Sequence, residues 1–352
     1  MPKASLSRDY IKKLARGLSA NEIKPVQRLS TFNVGLDYIT CGGVPLGGTT
    51  ELAGPTHSYK SSTALYLHRV WNEHYDLVGS YSDVERTVKK NDIERLIGNL
   101  DIIDILYPSS AEMFVESVRQ AAQLKIESDP EEKSGYYSIM TLDSIAALAP
   151  LAEREIIEQR IAKDEAISSM AMRKAAFWSA VQPSFTDYVG DSELIVLMIN
   201  QARQSMNPYG PPVTTPGGSS IPFMCSLRLL ATCSGKPSDE AKSIKALQNS
   251  IKVKWRVIKN KTGERERAIE LDYTGNGPDP YTALIRVAKE LGILQKGSYK
   301  LNPIVVEESG LPQTLGAGIE KAYNFLKDPA NEEVYKLLYK ECLLRADNPL
   351  DE

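Results

Sequence analysis

The segment Ala-Gly-Pro-Thr-His-Ser-Tyr-Lys-Ser-Ser at residues 53–62 constrains the fold of this chain more than any other stretch. A phosphate-binding loop has a glycine, four residues, a second glycine, a lysine and then serine or threonine, and here Tyr59 replaces the second glycine. Residues 49–53 predict a short strand before the loop, and the largely apolar residues 61–71 predict a helix after it. Between a strand and a helix, the backbone N–H groups of such a loop can surround a triphosphate. Taken alone, the motif also fits an ordinary strand-to-helix turn with a solvated lysine.

Composition and charge narrow the class of protein. A chain of 352 residues, 42% hydrophobic and 25% charged, is typical of a globular protein with one large domain and smaller attachments. No apolar run approaches the roughly 20 residues of a membrane span, and residues 1–5 lack the apolar core of a secretory signal. The four cysteines show no metal-ligand spacing, which favours a reducing, cytoplasmic compartment. The net charge of −3 argues against general adhesion to nucleic acid, so any such site must be local.

Strand and helix patterns alternate along the middle of the chain. Alternation of this kind predicts an α/β fold, a mostly parallel twisted sheet with helices on both faces. Consecutive strand patterns near the end of this region predict an antiparallel extension of the sheet. The predicted strands are 77–82, 136–142, 193–199, 223–233, 251–258 and 267–273, and the predicted helices are 92–100, 111–126 and 156–180.

Three regions are predicted: residues 1–29, a large α/β core at 30–280 and a small α/β C-terminal domain at 281–352. An amphipathic helix at 5–18 opens the first region, and it can pack on its own core or on a neighbouring subunit. The Gly-Asn-Gly-Pro-Asp-Pro sequence at 275–280 breaks the chain before the last region. There we expect a helix at 281–291 and two more within 316–345, with Asp328 and Pro329 as helix cap and first helical residue.

Polar side chains at strand ends supply the remaining parts of a phosphoryl-transfer site. Lys60 is expected to reach the β- and γ-phosphates of ATP, and Ser61 to bind Mg²⁺. Asp143 ends an apolar strand, where a carboxylate can hold the same Mg²⁺. The alternative for Asp143 is a cap of the following helix.

Two further strand ends carry candidate groups. Asp83 and Glu85 are two residues apart, and on one strand they would face the same side, so the pattern alone does not choose which orients the attacking water. The Asn200–Gln201 pair suits sensing of a γ-phosphate, and it also suits simple satisfaction of strand-end backbone groups.

Two segments are candidates for nucleic-acid contact. The stretch 202–219 has no periodicity, and a loop of this length inside a compact domain is usually functional or disordered. The stretch 251–261 alternates, with Lys252, Lys254 and Arg256 on one face. That face fits a track for phosphates, or equally a solvated edge strand protected by lysine.

Together these features resemble the RecA family of bacterial and phage recombination ATPases, over about residues 30–344. The most specific stretches are Gly-Gly-Val-Pro-Leu-Gly-Gly at 42–48, Leu-Asp-Ser-Ile-Ala-Ala-Leu at 142–148, Ile-Asn-Gln-Ala-Arg at 199–203, Thr-Thr-Pro-Gly-Gly at 214–218, Ile-Lys-Asn-Lys at 258–261 and Phe-Leu-Lys-Asp at 325–328. An aromatic residue before the loop lysine is similar to the UvsX-type phage members.

The resemblance implies roles for individual residues. Glu85 would polarise the attacking water, Gln201 would sense the γ-phosphate, and Lys259 and Lys261 would reach the ATP of a neighbouring subunit. The ATP-binding residues would be Gly54, Pro55, Thr56, His57, Ser58, Tyr59, Lys60, Ser61, Ser62 and, beside the adenine, Tyr273.

The DNA-binding parts are implied in the same way. Residues 155–166 would form a first loop and residues 202–219 a second, while the basic strand would hold incoming duplex. The implied DNA-binding residues are Arg173, Arg203, Met206, Tyr209, Gly210, Thr215, Gly217, Gly218, Ser219, Lys254 and Arg256. The sequence departs from the family at Tyr59, at the Glu- and Lys-rich first loop, at Thr232 and in its short acidic tail.

The implied activity is DNA-dependent ATP hydrolysis by a helical filament on single-stranded DNA, with pairing and strand exchange against homologous duplex DNA. ATP and Mg²⁺ are the implied cofactors, single-strand-binding and mediator proteins are implied partners, and the implied location is the cytoplasm of a bacterial or phage-infected cell. Two alternatives stay open: a ring-forming motor ATPase, and a DNA-binding filament protein whose ATP site only switches assembly.

Overall fold

The computed structural model describes residues 26–128, 136–163, 171–204, 213–261, 263, 266–295 and 297–347. The helix predicted at 5–18 lies outside these residues, as do Met206, Tyr209 and Gly210.

A nine-stranded mixed sheet forms the centre of the fold. Its strands are β3 (Thr49–Gly54), β4 (Gly79–Asp83), β5 (Ile103–Leu106), β6 (Ile139–Asp143), β7 (Ile195–Gln201), β10 (Leu227–Cys233), β11 (Ile251–Asn260), β12 (Ala268–Thr274) and β13 (Gly277–Pro278). Their spatial order is β13-β12-β11-β10-β3-β7-β6-β4-β5. Neighbouring strands from β10 to β5 pair parallel, and those from β10 to β13 pair antiparallel. The predicted parallel sheet with an antiparallel extension is therefore confirmed.

Two pairs of very short strands lie outside this sheet. The first joins β1 (Arg28–Leu29) to β2 (Val44–Pro45). The second joins β8 (Arg203–Gln204) to β9 (Val213–Thr214).

Helices cover both faces of the sheet. Along β7, Ile195 and Leu197 belong to one hydrophobic cluster while Val196 and Met198 belong to the other, as the two-residue period of a strand requires. The helices are α1 (Val34–Thr40), α2 (Lys60–Tyr75), α3 (Lys90–Leu96), α4 (Ala111–Glu127), α5 (Leu151–Ala162), α6 (Ala171–Asp191), α7 (Ser220–Met224), α8 (Asp239–Lys242), α9 (Pro280–Glu290), α10 (Pro303–Ser309), α11 (Ile319–Lys327) and α12 (Glu332–Leu344).

Some element boundaries differ from the sequence prediction. The strand predicted from 223 begins at Leu227, because residues 220–224 form α7. The helix predicted over 92–100 ends at Leu96. Helix α1 was not predicted, although Asn33 caps it by accepting hydrogen bonds from the N–H groups of Gly35 and Leu36.

The C-terminal helices share their core with the sheet. One hydrophobic cluster runs from Leu271 of β12 through Val287 of α9 to Leu326 and Leu338 of α11 and α12. Asp328 caps a short 3₁₀ turn, Pro329–Asn331, that leads into α12, in agreement with its predicted capping role. The described helices include none that combines the length and the apolar character needed to cross a membrane.

Candidate nucleotide and nucleic-acid site

The phosphate loop connects the end of β3 to the start of α2. Tyr59 has φ 63° and ψ 20° and occupies the cap position of α2 in the left-handed region. That conformation favours glycine and costs another residue about 1 kcal/mol. Tyr59 thus adopts the backbone conformation that the glycine of the usual motif would adopt. Its ring centroid lies 5.1 Å from that of Tyr273.

Lys60 lies at a cavity of about 300 Å³ lined by residues 57–62. Its ammonium donates to the carbonyl of Pro55 at 2.6 Å and to Ser58 Oγ at 3.1 Å. Burial lowers the pKa of Lys60, and attraction to Asp143 and Glu85 partly offsets that effect. The loop therefore holds a cation beside an open cavity, where an anion could exchange for the loop oxygens.

Asp143 is a buried carboxylate with two hydroxyl donors. Ser61 Oγ donates to its Oδ2 at 2.6 Å, and the Tyr81 hydroxyl donates to the same oxygen at 2.5 Å. Burial raises the pKa of Asp143, and these two hydrogen bonds act in the opposite direction. The carboxylate faces the phosphate loop in this arrangement, and the described contacts do not include the helix cap that was the alternative for it.

The donor set at Asp143 fits Mg²⁺ bound together with a nucleotide. A hydroxyl and a carboxylate are hard oxygen ligands, and magnesium commonly takes one or two protein ligands plus phosphate oxygens and water. Among the residues that the structure describes, no group of three or more His, Cys, Asp or Glu could hold a metal ion. Ser61 and Asp143 would hold the ion together with phosphate oxygens and water.

Asp83 and Glu85 do not share a strand face, contrary to the expectation from their spacing, because β4 ends at Asp83. Asp83 is buried and accepts hydrogen bonds from the N–H groups of Thr87 and Val88, at 3.2 and 3.0 Å. Glu85 is exposed and accepts a hydrogen bond from Ser144 Oγ at 2.6 Å. Backbone N–H groups of the turn therefore bind Asp83, whereas Glu85 lies at the surface beside the end of the strand that carries Asp143.

Asn200 and Gln201 at the end of β7 have different surroundings. Asn200 Nδ2 donates to Glu51 Oε1 at 2.8 Å and to the carbonyl of Pro216 at 2.9 Å. Its Oδ1 accepts from the N–H of Gln201 at 3.0 Å, so Asn200 satisfies strand-end backbone groups as the alternative for this pair predicted. The half-buried Gln201 is the last residue of β7, from which the chain enters the loop.

A buried ion pair extends this network to the second loop stem. Glu51 of β3 is fully buried and pairs with Arg228 of β10, which also donates to Thr215 Oγ1 at 3.2 Å. Together with Asn200, these side chains connect the strand of the phosphate loop to the returning stem at 215–216. Sequence reasoning did not identify Glu51 and Arg228, although charged residues inside apolar strands must find partners when buried.

The two ends of the 202–219 stretch lie together as a narrow stem. Arg203 of β8 pairs with Thr214 of β9, and the side chain of Arg203 is exposed. Gly217 and Gly218 have φ of 102° and 75°, and an added Cβ would lie 2.6 Å from Ile221 and from Ala175 respectively. Both glycines are therefore required for the close approach of this stem to helices α6 and α7.

The first predicted DNA loop is largely helical. Residues 151–162 form α5, in agreement with the helix predicted over 156–180, so the part of the implied DNA loop at 155–162 is helical, while residues 164–166 lie outside the described residues. The side chains of Glu155 and Glu158 are exposed, and the DNA-binding role implied for this segment stays a prediction. Helical periodicity explains this, because apolar residues recur among the charged ones at Ile156, Ile157 and Ile161. Arg173 is exposed near the start of α6.

The basic strand β11 shows the predicted alternation. Lys254 and Arg256 are exposed, whereas Val253, Trp255 and Val257 are buried. The edge-strand alternative is wrong, since β11 pairs with β10 on one side and β12 on the other. Lys252 forms an ion pair with Glu270 at 3.1 Å, so part of the positive charge on this face is neutralised.

Lys259 and Lys261 lie at the sheet edge opposite to the phosphate loop. Lys259 pairs in register with Arg228 near the start of β10, while the end of the parallel strand β3 aligns with Leu230 and beyond. The Lys259 ammonium donates to the carbonyl of Phe223 at 3.3 Å, and Lys261 is exposed. The backbone of both lysines therefore lies nearer the end of the sheet opposite to the phosphate loop.

Tyr273 is buried, at 1% exposure, where the family resemblance places an aromatic residue beside the adenine. Its hydroxyl contacts Thr63 Oγ1 and Trp255 Nε1, each at 2.8 Å. A direct contact with a base would require this ring to be uncovered. The accessible ring of the Tyr59–Tyr273 pair is that of Tyr59.

The fold and the site define a phosphate-loop, nucleotide-binding α/β protein. Residues 4–277 match the model of the RecA N-terminal domain. The chain is similar to protein RecA of Thermus aquaticus, 30% identical over 328 residues, which covers 92% of this chain and 86% of that protein. It is also similar to protein RecA of Paracoccus denitrificans, 30% identical over 333 residues, with 92% and 84% covered. Protein RecA of Cereibacter sphaeroides (strain ATCC 17029 / ATH 2.4.9) is 30% identical over 356 residues, with 99% and 89% covered.

The chain belongs to the RecA family. These comparisons do not distinguish the UvsX-type phage subgroup, so the similarity at Tyr59 stays a prediction.

Proposed function

We propose that this protein is a DNA-dependent ATPase that forms helical filaments on single-stranded DNA and catalyses homologous pairing and strand exchange. The observation that carries the proposal is the position of β7 (Ile195–Gln201). This strand lies between β3, which leads into the phosphate loop, and β6, which ends at Asp143. The chain then passes directly from Gln201 into the stem of the 202–219 loop. A change at the nucleotide site can thus reach the DNA loop through one residue.

ATP would bind in the loop of residues 54–62, with its phosphates in the cavity beside Lys60. Ser61 and Asp143 would hold Mg²⁺, which supplies neutralisation of phosphate charge when bound. The accessible ring of Tyr59 would contact the nucleotide, and the buried ring of Tyr273 packs against that of Tyr59.

Hydrolysis would use the surface carboxylate of Glu85. Because Asp83 is occupied by backbone N–H groups of the turn, Glu85 is the carboxylate at this strand end that can accept a proton or orient water. The hydrogen bond from Ser144 orients Glu85 and ties it to the residue that follows Asp143. Gln201 would report the γ-phosphate to the loop.

Filament formation would rest on Lys259 and Lys261. Lys259 lies level with Glu51, three residues before the phosphate loop begins at Gly54, which is roughly 10 Å along the strand at the usual rise, and β10 lies between β11 and β3. The family resemblance implies that these lysines reach the ATP of a neighbouring subunit, and such a contact would stack copies of the chain head to tail. An interface of that type repeats without closing and generates a helical filament unless its rotation closes into a ring.

DNA would bind at the loop stem and on exposed basic side chains. Arg203, Thr215, Gly217, Gly218 and Ser219 would contact the single strand, together with Met206, Tyr209 and Gly210 of the same loop. Arg173 would add a phosphate contact, and the exposed Lys254 and Arg256 would hold the incoming homologous duplex. Single-strand-binding and mediator proteins would be partners, in the cytoplasm of a bacterial or phage-infected cell.

The test is steady-state ATP hydrolysis with and without single-stranded DNA at low salt, where phosphate contacts are least screened. We expect strong stimulation by DNA and helical filaments in electron micrographs. Hydrolysis that is indifferent to DNA, with rings in the micrographs, would favour the motor alternative. ATP-dependent DNA binding without hydrolysis would favour the assembly-switch alternative.

A mixing experiment tests whether the site is shared between subunits. Glu85→Gln and Lys259→Ala are each expected to lower turnover by about 100-fold while ATP-dependent DNA binding persists. In a mixed filament, some interfaces join an intact Glu85 to an intact Lys259 of the neighbour, so mixing the two inactive variants should restore partial activity. Equal activity of the mixture and the separate variants would contradict a shared site.

A further inference from the structure

Tyr81 of β4 places a buried hydroxyl against the carboxylate of Asp143. The residue has no exposed surface, and its hydroxyl donates to Asp143 Oδ2 at 2.5 Å. It lies in register with Thr141 on the neighbouring strand β6, two residues before Asp143. The contact therefore joins two adjacent strands at the sheet edge where the nucleotide cavity opens.

The Tyr81 hydroxyl is not needed to fill the space between the strands. A phenylalanine ring would occupy the same volume between the strands, beside the ring of His68 at 6.4 Å. Only the phenolic oxygen provides the bond to Asp143, and a buried tyrosine hydroxyl needs such a partner. The hydroxyl is thus placed against a carboxylate that is expected to meet the metal.

The two hydrogen bonds from hydroxyl groups to Asp143 go to the same carboxylate oxygen. Both Ser61 Oγ and the Tyr81 hydroxyl donate to Oδ2, and within the described part of the chain no hydrogen bond to Oδ1 is found. Ser61 is also an expected metal ligand, so its hydroxyl must serve both the ion and the carboxylate. Tyr81 is fully buried and is not an expected metal ligand, so its hydroxyl would serve the carboxylate alone.

We propose that Tyr81 is a positioning residue, which holds Asp143 by Oδ2 so that Oδ1 faces Mg²⁺ or a water bound to it. This inference rests on the proposed function of the site as a Mg²⁺–ATP site. Hydrogen-bond partners behind a metal ligand restrict its orientation, and their loss typically weakens metal binding or activity about 10-fold or more. Tyr81 would contact neither nucleotide nor metal.

The test is Tyr81→Phe, with Tyr323→Phe as a matched control. Tyr323 is also a buried tyrosine that donates to a buried aspartate, Asp279, at 3.1 Å, and it lies in the C-terminal helix α11. Both variants remove one hydroxyl from a Tyr–Asp pair, so both should lose a similar amount of thermal stability. Only Tyr81→Phe should change the response to metal.

Two measurements separate positioning from general destabilisation. The first is the Mn²⁺ dissociation constant in the presence of ADP, from the electron paramagnetic resonance signal of free Mn²⁺, which requires no turnover. The second is the Mg²⁺ concentration that gives half-maximal ATP hydrolysis. We expect both constants to rise about 10-fold in Tyr81→Phe and to stay unchanged in Tyr323→Phe.

The outcomes also separate this inference from the proposed function. If the unmodified protein binds Mn²⁺–ADP and hydrolyses ATP, and Tyr81→Phe leaves both constants unchanged, the positioning role is wrong while the function stands. If the unmodified protein shows neither metal-nucleotide binding nor hydrolysis, the proposed function is wrong and the inference fails with it. Equal weakening of metal binding in both variants would also overturn the positioning role.

Discussion

Buried tyrosine–aspartate pairs occur in two regions of this protein, and they are built differently. Beside the C-terminal helix α12, Asp37 of α1 accepts two bonds from Thr31 on Oδ1 and bonds from Ser30 and Tyr339 on Oδ2. At the nucleotide end, the described bonds to Asp143 all fall on Oδ2. One carboxylate has hydrogen bonds from protein on both oxygens, and the other has one oxygen that receives no hydrogen bond from the described residues.

On the proposed function, this difference would separate a structural carboxylate from a metal-binding one. Burial raises the pKa of Asp37 and of Asp143 alike, so the cost of burying negative charge is common to both. At Asp37, hydrogen bonds to both oxygens offset part of that cost within the protein. At Asp143, a bound cation would offset what the two hydroxyl donors leave, which is the arrangement expected of a site that favours function over stability.

The largest expected effect is the loss of hydrolysis in Asp143→Asn. The amide keeps the size of the side chain but cannot offer a charged oxygen to Mg²⁺. A bound metal contributes several kcal/mol of charge stabilisation, so turnover should fall on the order of a thousandfold. Steady-state ATP hydrolysis with single-stranded DNA checks this, and chemical denaturation should show an unchanged or slightly higher free energy of unfolding.

The same substitution at Asp37 should give the opposite pattern. In Asp37→Asn the hydrogen bonds to a charged acceptor are lost, and the Ser30 and Tyr339 hydroxyls meet an NH₂ donor. We expect the free energy of unfolding to fall by about 2 kcal/mol. Turnover per folded molecule should be unchanged, and a thousandfold loss of turnover here would remove the distinction between the two carboxylates.

The sequence predicted the sheet and the strand-end residues well because both rest on short-range patterns. The phosphate loop between β3 and α2, the strand ending at Asp143 and the alternation in β11 are local signals, and the fold predicted from them is confirmed. The parallel pairing follows from alternation with helices.

The polar contacts at the site could not be predicted, because they join residues far apart in sequence. Tyr81 meets Asp143 across 62 positions and Arg228 meets Glu51 across 177. Helix α1 was missed because the seven residues after its Asn33 cap are too few to show a clear helical period. The spacing of Asp83 and Glu85 misled for a related reason: a two-residue period holds only while the strand continues, and β4 ends at Asp83.

Acid should lower the free energy of unfolding through protonation of His68. This residue on α2 is buried, its Nε2 contacts Thr141 Oγ1 at 2.9 Å, and burial lowers its pKa from 6.5 to about 3. Between those values the unfolded chain binds one more proton than the folded chain. The contribution of His68 to stability is therefore present above pH 6.5 and decreases as pH falls, by about 1.4 kcal/mol per pH unit.

Denaturation at several pH values between about 7 and 5 measures this slope, and His68→Gln is the comparison because an amide can keep the contact with Thr141. The buried carboxylates contribute with the opposite sign, since a raised pKa means that the folded state binds protons first. They are common to both proteins and cancel in the difference. Equal slopes for the two proteins would show that His68 takes up no protons on unfolding in this range.

The smallest expected effect concerns the hydroxyl that joins α12 to α1. Tyr339→Phe removes the donor to Asp37 Oδ2 at 2.6 Å and keeps the ring contacts, so we expect a loss of about 1 kcal/mol in unfolding free energy. The control is Tyr335→Phe, one turn earlier on the same helix, whose ring packs on Tyr281 and Tyr339. For the Tyr335 hydroxyl, no hydrogen bond is found within the described residues. In a double-mutant cycle, Tyr339→Phe should cost much less when Asp37 is already asparagine. Additive losses would mean that Tyr339 and Asp37 act independently. The Tyr339–Asp37 pair would then no longer serve as the comparison for Asp143 in which both carboxylate oxygens are hydrogen-bonded.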